Sequence, residues 1–325
     1  MTIHNLGSIN IDHVYRVPHL VRPGETLASR ALETVLGGKG ANQSVALARA
    51  GAEVRHVGRV GAADDWARTA LAEAGVDISA VERVDGPSGH AIIQVDDAGE
   101  NAIVLHGGAN RTLDREALDG ALAAAAADEL LLLQNETSAV ADAFDAAAAR
   151  GLRIAFNPAP MSETVRALPL ERCDTLILNE TEATMLAGGG ASSGSSARDP
   201  TGAGAPSDES EGEIVDADAL EAALVARYPE VRLVLTLGAR GARLAHGDVR
   251  VAVAAAPVDV VDTTGAGDTF VGYLLAALES GMDERAALAR ACTAAALSVT
   301  RAGATPSIPH AAAVDDFPNP ESRTS

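Results

Sequence analysis

The sequence predicts an α/β protein: a doubly wound, mostly parallel sheet between helices, carrying a small separate β-layer. Three observations predict it. Short apolar runs ("TIHNL", "LLLLQ", "LRIAF", "DTLIL", "VRLVLTL" and "VDVV") read as strands buried on both faces, which show no alternation. Helical stretches such as residues 41–52 and 139–150 separate several of them, giving the β-α alternation of a parallel sheet. The chain is also long enough for one large core: 325 residues are 47% apolar, and with aromatics at 2% alanine, leucine and valine must fill it.

Taken in order, "TIHNL" is the first strand and ends at Gly7. Residues 11–36 are extended, with Pro18 and Pro23 confining them to edge or surface positions. Residues 41–52 form a helix. Residues 90–106 form a hairpin, two alternating runs around a short Gly-containing turn. The two extended stretches, about 11–36 and 88–108, give a β-layer placed to act as a lid on a single domain spanning 1–325. Residues 188–213 contain no Val, Ile, Leu, Met or aromatic residue and read as a disordered low-complexity insertion.

The tetrapeptide Thr-Gly-Ala-Gly occurs twice. The copy in "DPTGAGAPS" sits inside the insertion, with no strand before it and Pro206 where a helix would have to grow, so it is a coincidence of composition. The copy in "DTTGAGDTF" lies between "VDVV" and a helical run. There Phe270, Val271, Leu274, Leu275 and Leu278 share one face, and Gly281 suits a C-terminal cap. Gly265, Ala266 and Gly267 then stand at a helix N-terminus, where free N–H groups and the helix dipole favour an anion. Asp268, in the first turn, is either a helix-capping carboxylate or a base that takes a proton from a hydroxyl attacking a phosphate.

Charge excludes some partners. Forty-five acidic residues against 25 basic ones give a formal charge of −20, which argues against nucleic acid and anionic membranes. Lys39 is the only lysine, and the acid excess resembles cytosolic proteins of salt-loving microbes, where screening tames self-repulsion. Codon bias toward Ala, Arg, Gly and Asp does not account for the acid excess. No run approaches the ~18 apolar residues of a membrane span, and "MTIHNLGSIN" lacks a signal layout, so a cytoplasmic location is expected. Cys173 and Cys292 show neither metal spacing nor a disulfide framework.

Polar residues or glycines recur where the strands end. Asn10 and Asp12 follow the first, Asn135 and Glu136 follow "LLLLQ", and Asn157, Asn179, Gly238 and Asp262 follow the later runs. Ligands bind at that end of open α/β sheets. Lys39 has neither the glycine nor the Ser/Thr of a P-loop, and no strand-linked G-x-G-x-x-G is visible.

Seven motifs, "GSINIDH", "GGKGANQ", "GENAIVLHGGAN", "NPAP", "NETE", "TLGARG" and "DTTGAGDTF", resemble the PfkB family of sugar kinases, and within it the ribokinases. The resemblance runs from about residue 3 to Pro309 and implies a three-layer α/β/α fold with a β-sheet lid. It implies ATP-dependent phosphorylation of ribose, or of another substrate such as ribose 1-phosphate, a nucleoside, fructose or a keto-deoxy sugar acid. A sugar- or nucleotide-binding regulator on this fold would need no base. Asp268 would be the base and Gly265, Ala266 and Gly267 the anion hole. Asn10, Asp12, Gly38, Lys39, Asn42 and Glu136 would hold the sugar. Thr236, Gly238, Gly241 and Asn179 would hold the nucleotide, with Asn179 and Glu182 arranging Mg²⁺ through water. Asp262, Thr264, Ser298, Arg301, Gly303 and Ser307 would bind an activating monovalent cation, expected to be K⁺. A homodimer paired through the lid is also implied. Cys292 stands where some relatives carry a histidine. Arg16, Arg22, Arg30 and Arg111 read as a solvated face or as groups admitting a phosphorylated sugar.

Overall fold

The computed structural model describes residues 1–188 and 216–317. Beyond Gly188 the insertion, with its Thr-Gly-Ala-Gly copy, lies outside the described residues.

The chain opens with β1 (Ile3–Leu6), all four residues buried. It leaves the main sheet for the antiparallel pair β2 (Asn10–Arg16) and β3 (Ala31–Gly37), then returns through α1 (Lys39–Arg49). β4 (Val54–Gly61), α2 (Asp65–Glu73) and β5 (Asp77–Val84) follow. A second excursion makes the hairpin β6 (Gly89–Val95) and β7 (Asn101–His106). After α3 (Arg115–Ala121) come β8 (Leu130–Gln134), α4 (Val140–Arg150) and β9 (Arg153–Asn157). Next are β10 (Thr175–Asn179), α5 (Glu180–Ala187), α6 (Ala217–Arg227) and β11 (Arg232–Thr236). The edge hairpin β12 (Ala242–His246) and β13 (Val249–Val253) precedes α7 (Ala266–Glu279), α8 (Glu284–Ser298) and α9 (Ala311–Asp315). Part of the acid excess caps helices: Asp114, Asp216 and Asp283 each accept a first-turn N–H.

The large sheet runs β13-β12-β11-β10-β9-β8-β1-β4-β5, parallel except at the β11-β12-β13 edge. Strand order reverses between β1 and β8, so a crevice opens there beyond the carboxyl ends of the strands. The all-buried run of β8 explains itself by register. Leu130 and Leu132 join the core under α1, α2, α7 and α8, while Leu131 and Leu133 join the core under α4, α5 and α6. Among the described residues no helix is long and apolar enough to cross a membrane.

The smaller sheet has the order β3-β2-β6-β7. Every residue of β7 is exposed, and Leu32, Ile92, Ile103, Val104 and Leu105 leave apolar surface on this layer. Two expectations need correction. Pro18 and Pro23 lie in the connection between β2 and β3, and β2 is an interior strand paired on both sides. Residues 258–261 form no strand, because β13 already closes that edge of the sheet. The run instead lies largely exposed, Val260 at 62% and Val261 at 65%, so Asp262 closes a loop.

Candidate active site

Helices α1 and α7 bring the polar groups together. A Cβ on Gly272 would stand 2.4 Å from the Ala46 Cβ and 2.8 Å from the Leu47 nitrogen, so α7 lies against α1 only because this residue is glycine. That approach sets the first turns of the two helices side by side. Asp268 Oδ2 accepts from Asn42 Nδ2 at 3.0 Å, and its Oδ1 accepts from Gln43 Nε2 at 2.9 Å. Burial pushes the Asp268 carboxyl upward, more than Lys39 and the two amides pull it down. Reciprocally, Asp268 raises the Lys39 ammonium against the opposing effect of burial. Gly265 is the N-cap of α7, in the left-handed region at φ 77°, and the helix has no side-chain cap. Asp268 therefore does not cap α7; the Ala266 N–H turns back onto the Thr263 carbonyl at 3.2 Å, and the Gly265 and Gly267 N–H groups leave this helix start suited to an anion.

Glu136 spans the switch point. Its Oε2 accepts from the Lys39 backbone N–H at 3.1 Å and from the Ser8 hydroxyl, tying the end of β8 to α1 and to the residues after β1. Burial, with Glu136 nearby, raises the Asp12 carboxyl to about 6. Asn10 Oδ1 accepts from Asn110 Nδ2 at 2.8 Å, and Gly38 packs against the Asn10 backbone. Asn10, Asp12, Gly38, Lys39, Asn42, Glu136 and Asp268 thus form one polar cluster at the crevice. Asn42 is buried and bonded at both ends of its amide, its Oδ1 accepting from the Thr305 hydroxyl at 2.7 Å.

Across Gly267 lies a largely apolar cavity of about 460 Å³, lined by Thr236, Gly238, Gly241, Val258, Phe270 and Cys292 among others. Burial pushes the Cys292 thiol up to about 12, so it serves here as a small apolar wall. Asn179 and Glu182 form a reciprocal capping box at α5: Oδ1 of Asn179 accepts from the Glu182 N–H, and Oε2 of Glu182 from the Asn179 N–H. Glu182 is buried, and its carboxyl is raised by burial while Lys39 pulls it the other way. A larger groove, about 700 Å³, lies along β4, β5 and α3, but its Arg55 and Arg59 are paired with Asp77 and Glu82 and no reactive cluster converges there.

Two loops meet at Asp262. Its Oδ1 accepts from Thr264 N–H at 2.9 Å and its Oδ2 from Gly303 N–H at 2.8 Å. Burial raises this carboxyl, but the bonds from Thr264 and Gly303 outweigh it and hold the group below its usual range. The Arg301 N–H bonds to the Ser298 carbonyl, and the Ser307 hydroxyl closes a turn on Ala304. Among the arginines, Arg30 pairs with Asp97 at 2.5 Å and Arg111 donates to the Thr137 carbonyl.

Sequence reasoning assigned no role to Gln43, Gln134, Asn110 or Thr305. Gln43 and Asn110 sit inside quoted motifs, which was their only signal, and Thr305 and Gln134 reach the site through tertiary contacts alone.

The model of the pfkB family carbohydrate kinases matches residues 3–311. The chain belongs to the PfkB family of carbohydrate kinases. This kinase is 37% identical to the ribokinase of Haemophilus influenzae over 318 residues, covering 95% of each chain. It is similar to the crystal structure of ribokinase from Cryptococcus neoformans in complex with ADP, with TM-score 0.78, 35% identity, and 97% and 99% of the two chains covered. It is likewise similar to Arabidopsis thaliana ribokinase complexed with ribose and ATP, with TM-score 0.76 and 28% identity over 96% of each chain. The large mixed sheet with helices on both faces and the smaller sheet make this a ribokinase-like α/β fold.

Proposed function

We propose that this kinase phosphorylates the 5-hydroxyl of D-ribose with ATP, Asp268 acting as general base. One observation carries the choice of sugar: Asp12 and Glu136 stand close enough that Glu136 raises Asp12, beside Lys39 and Asp268. Short carboxylates and amides suit a neutral, hydroxyl-rich ring. Two adjacent carboxylates repel a substrate that already carries a phosphate; of Arg16, Arg22, Arg30 and Arg111, Arg30 and Arg111 are engaged elsewhere and Arg16 acts on Asp262.

In this reading Asp268 takes the proton of the attacking hydroxyl, and the turn at Gly265–Gly267 receives the charge that develops on the transferred phosphoryl group. Lys39 neutralises part of that charge. Thr236, Gly238 and Gly241 hold the nucleotide, its base against the apolar cavity. Glu182 keeps Oε1 outside the capping box, which fits Mg²⁺ held through water with Asn179; Mg²⁺ neutralises the phosphate oxygens when bound. Asp262 ties together the loops whose carbonyls, with Thr264, Ser298, Arg301, Gly303 and Ser307, would line a K⁺ site. The small sheet serves as the lid and, through its exposed apolar residues, as the contact of a homodimer. The acid-rich surface suits a cytoplasm rich in salt. A phosphorylation assay across ribose, ribose 1-phosphate, nucleosides and hexoses, with ATP and with ADP, tests the reading. Preference for ribose 1-phosphate or a nucleoside would overturn it.

A further inference from the structure

We propose that Gln43 and Gln134 are positioning residues that lock the Asp268 carboxylate in one orientation through a buried chain of amides. The inference rests on the reading of Asp268 as the base.

The chain can be followed donor by donor. Asn157 Nδ2 donates to the Ile177 carbonyl at 3.0 Å, which turns the Asn157 Oδ1 toward Gln43. Gln43 Nε2 has two hydrogens, and both are used: one on Asn157 Oδ1 at 3.1 Å and one on Asp268 Oδ1 at 2.9 Å. The reverse orientation of the Gln43 amide would face an oxygen against two oxygens. Gln43 Oε1 must then face Gln134, whose Nε2 donates to it at 2.8 Å and to Asn5 Oδ1 at 2.8 Å. Asn5 in turn donates to the Gly40 carbonyl and the Ser44 hydroxyl, both at 2.8 Å. Every amide in the chain has one allowed orientation, and the chain ends on a single oxygen of the base.

The arrangement has a cost that packing alone does not explain. Gln43 and Gln134 are both fully buried, and Gln134 Oε1 has no hydrogen-bond partner. Two leucines here would bury more apolar surface and remove the orphaned Gln134 Oε1, but would strip Asn5, Asn157 and Asp268 of a donor each. Polar groups kept at such a cost concentrate at functional sites. Holding Oδ1 with Gln43 and Oδ2 with Asn42 fixes the plane of the carboxylate, so the remaining lone pairs point one way. A base needs that direction held, because a misplacement of about 1 Å costs on the order of 100-fold in rate.

The test compares steady-state kinetics of Gln43→Met, Gln43→Glu and Gln134→Leu with the parent, alongside thermal unfolding and nucleotide affinity. Gln43→Met should lower kcat about 10- to 100-fold with KM for sugar and nucleotide nearly unchanged. It should also move the acid limb of kcat to higher pH, since a donor to the carboxylate is lost. Gln134→Leu, which leaves the direct bond to Asp268 in place, should shift both quantities the same way by less. Gln43→Glu is nearly isosteric, and should give a kcat that falls again at alkaline pH, as the introduced carboxyl ionises against Asp268. If Gln43→Met fails to fold, the alkaline limb of Gln43→Glu decides. Folded variants with the parent kcat and pH profile would overturn the proposal. The reading beneath it fails separately: if Asp268→Asn alone retains near-normal turnover, Asp268 is not the base.

Discussion

At Asp268 two opposed influences meet, burial favouring the neutral acid and Lys39 favouring the carboxylate. Asp268→Asn removes the charge and keeps the shape. It loses one of the two accepted amide bonds, but it also ends the burial of a carboxylate, so stability should change by no more than about 2 kcal/mol in thermal unfolding. Turnover should fall about 10²- to 10⁴-fold, measured at saturating substrates. Asp199→Asn, in the other Thr-Gly-Ala-Gly copy, should leave turnover unchanged. Asp12, raised to about 6 by burial and Glu136, holds a proton below that pH and then offers the sugar one acceptor fewer. The acid limb of kcat/KM should therefore become shallower in Asp12→Asn. His56 runs the other way. Fully buried, it is lowered to about 4, so between the unfolded value near 6.5 and 4 the unfolded chain binds the proton that the folded chain refuses. Its contribution is complete above about 6.5 and disappears as pH falls toward 4, a loss of about 3 kcal/mol. A pH series of denaturant midpoints checks it, and His56→Gln should flatten that slope.

Elements, rather than single side chains, bring residues 42 and 268 into contact. Gly272→Ala would drive a Cβ into Ala46 and the Leu47 nitrogen, so α7 must slide off α1. We expect a loss of about 1 to 3 kcal/mol, read by thermal unfolding. Turnover should fall further than that loss explains, because Asn42 and Gln43 would lose their reach to Asp268. This packing also shows what a linear reading can and cannot see. The strand runs were legible because parallel strands are apolar throughout, and the helix N-terminus at Gly265 because its glycine turn is local. "VDVV" misled because so short a valine-rich run looks the same whether it pairs or lines a cavity. Gln134 and Thr305 were invisible as site residues: each earns its place through a partner 91 or 263 positions away, and neither has a local pattern. Asp268 stayed ambiguous in sequence because base and helix cap occupy the same first turn. The absent capping bond removes the cap; the role of base stays a proposal.

On the scale of the whole molecule, the small sheet stands apart with one strand exposed throughout, which a monomer gains nothing from displaying. Light scattering in concentrated KCl should give about 66 kDa, twice the 33.0 kDa chain, and Val104→Asp should return it toward the single chain. Activation by K⁺ should exceed that by Na⁺ at equal ionic strength. Screening of the −20 charge responds to either salt, whereas a carbonyl-lined site discriminates by ion size.

Lys39 has one more consequence, for the bench. It is the only lysine of the chain, and its ammonium is held in the charged form beside Asp268. Acylating reagents attack the free amine, so this position should resist them at neutral pH and yield only under alkaline conditions. Once it yields, there is no second ε-amine to dilute the signal. The fraction of lysine modified should equal the fraction of turnover lost, and substrate should protect both together. Read at this lysine rather than at the exposed α-amine of Met1, which acylates more readily, such a reagent titrates the crevice.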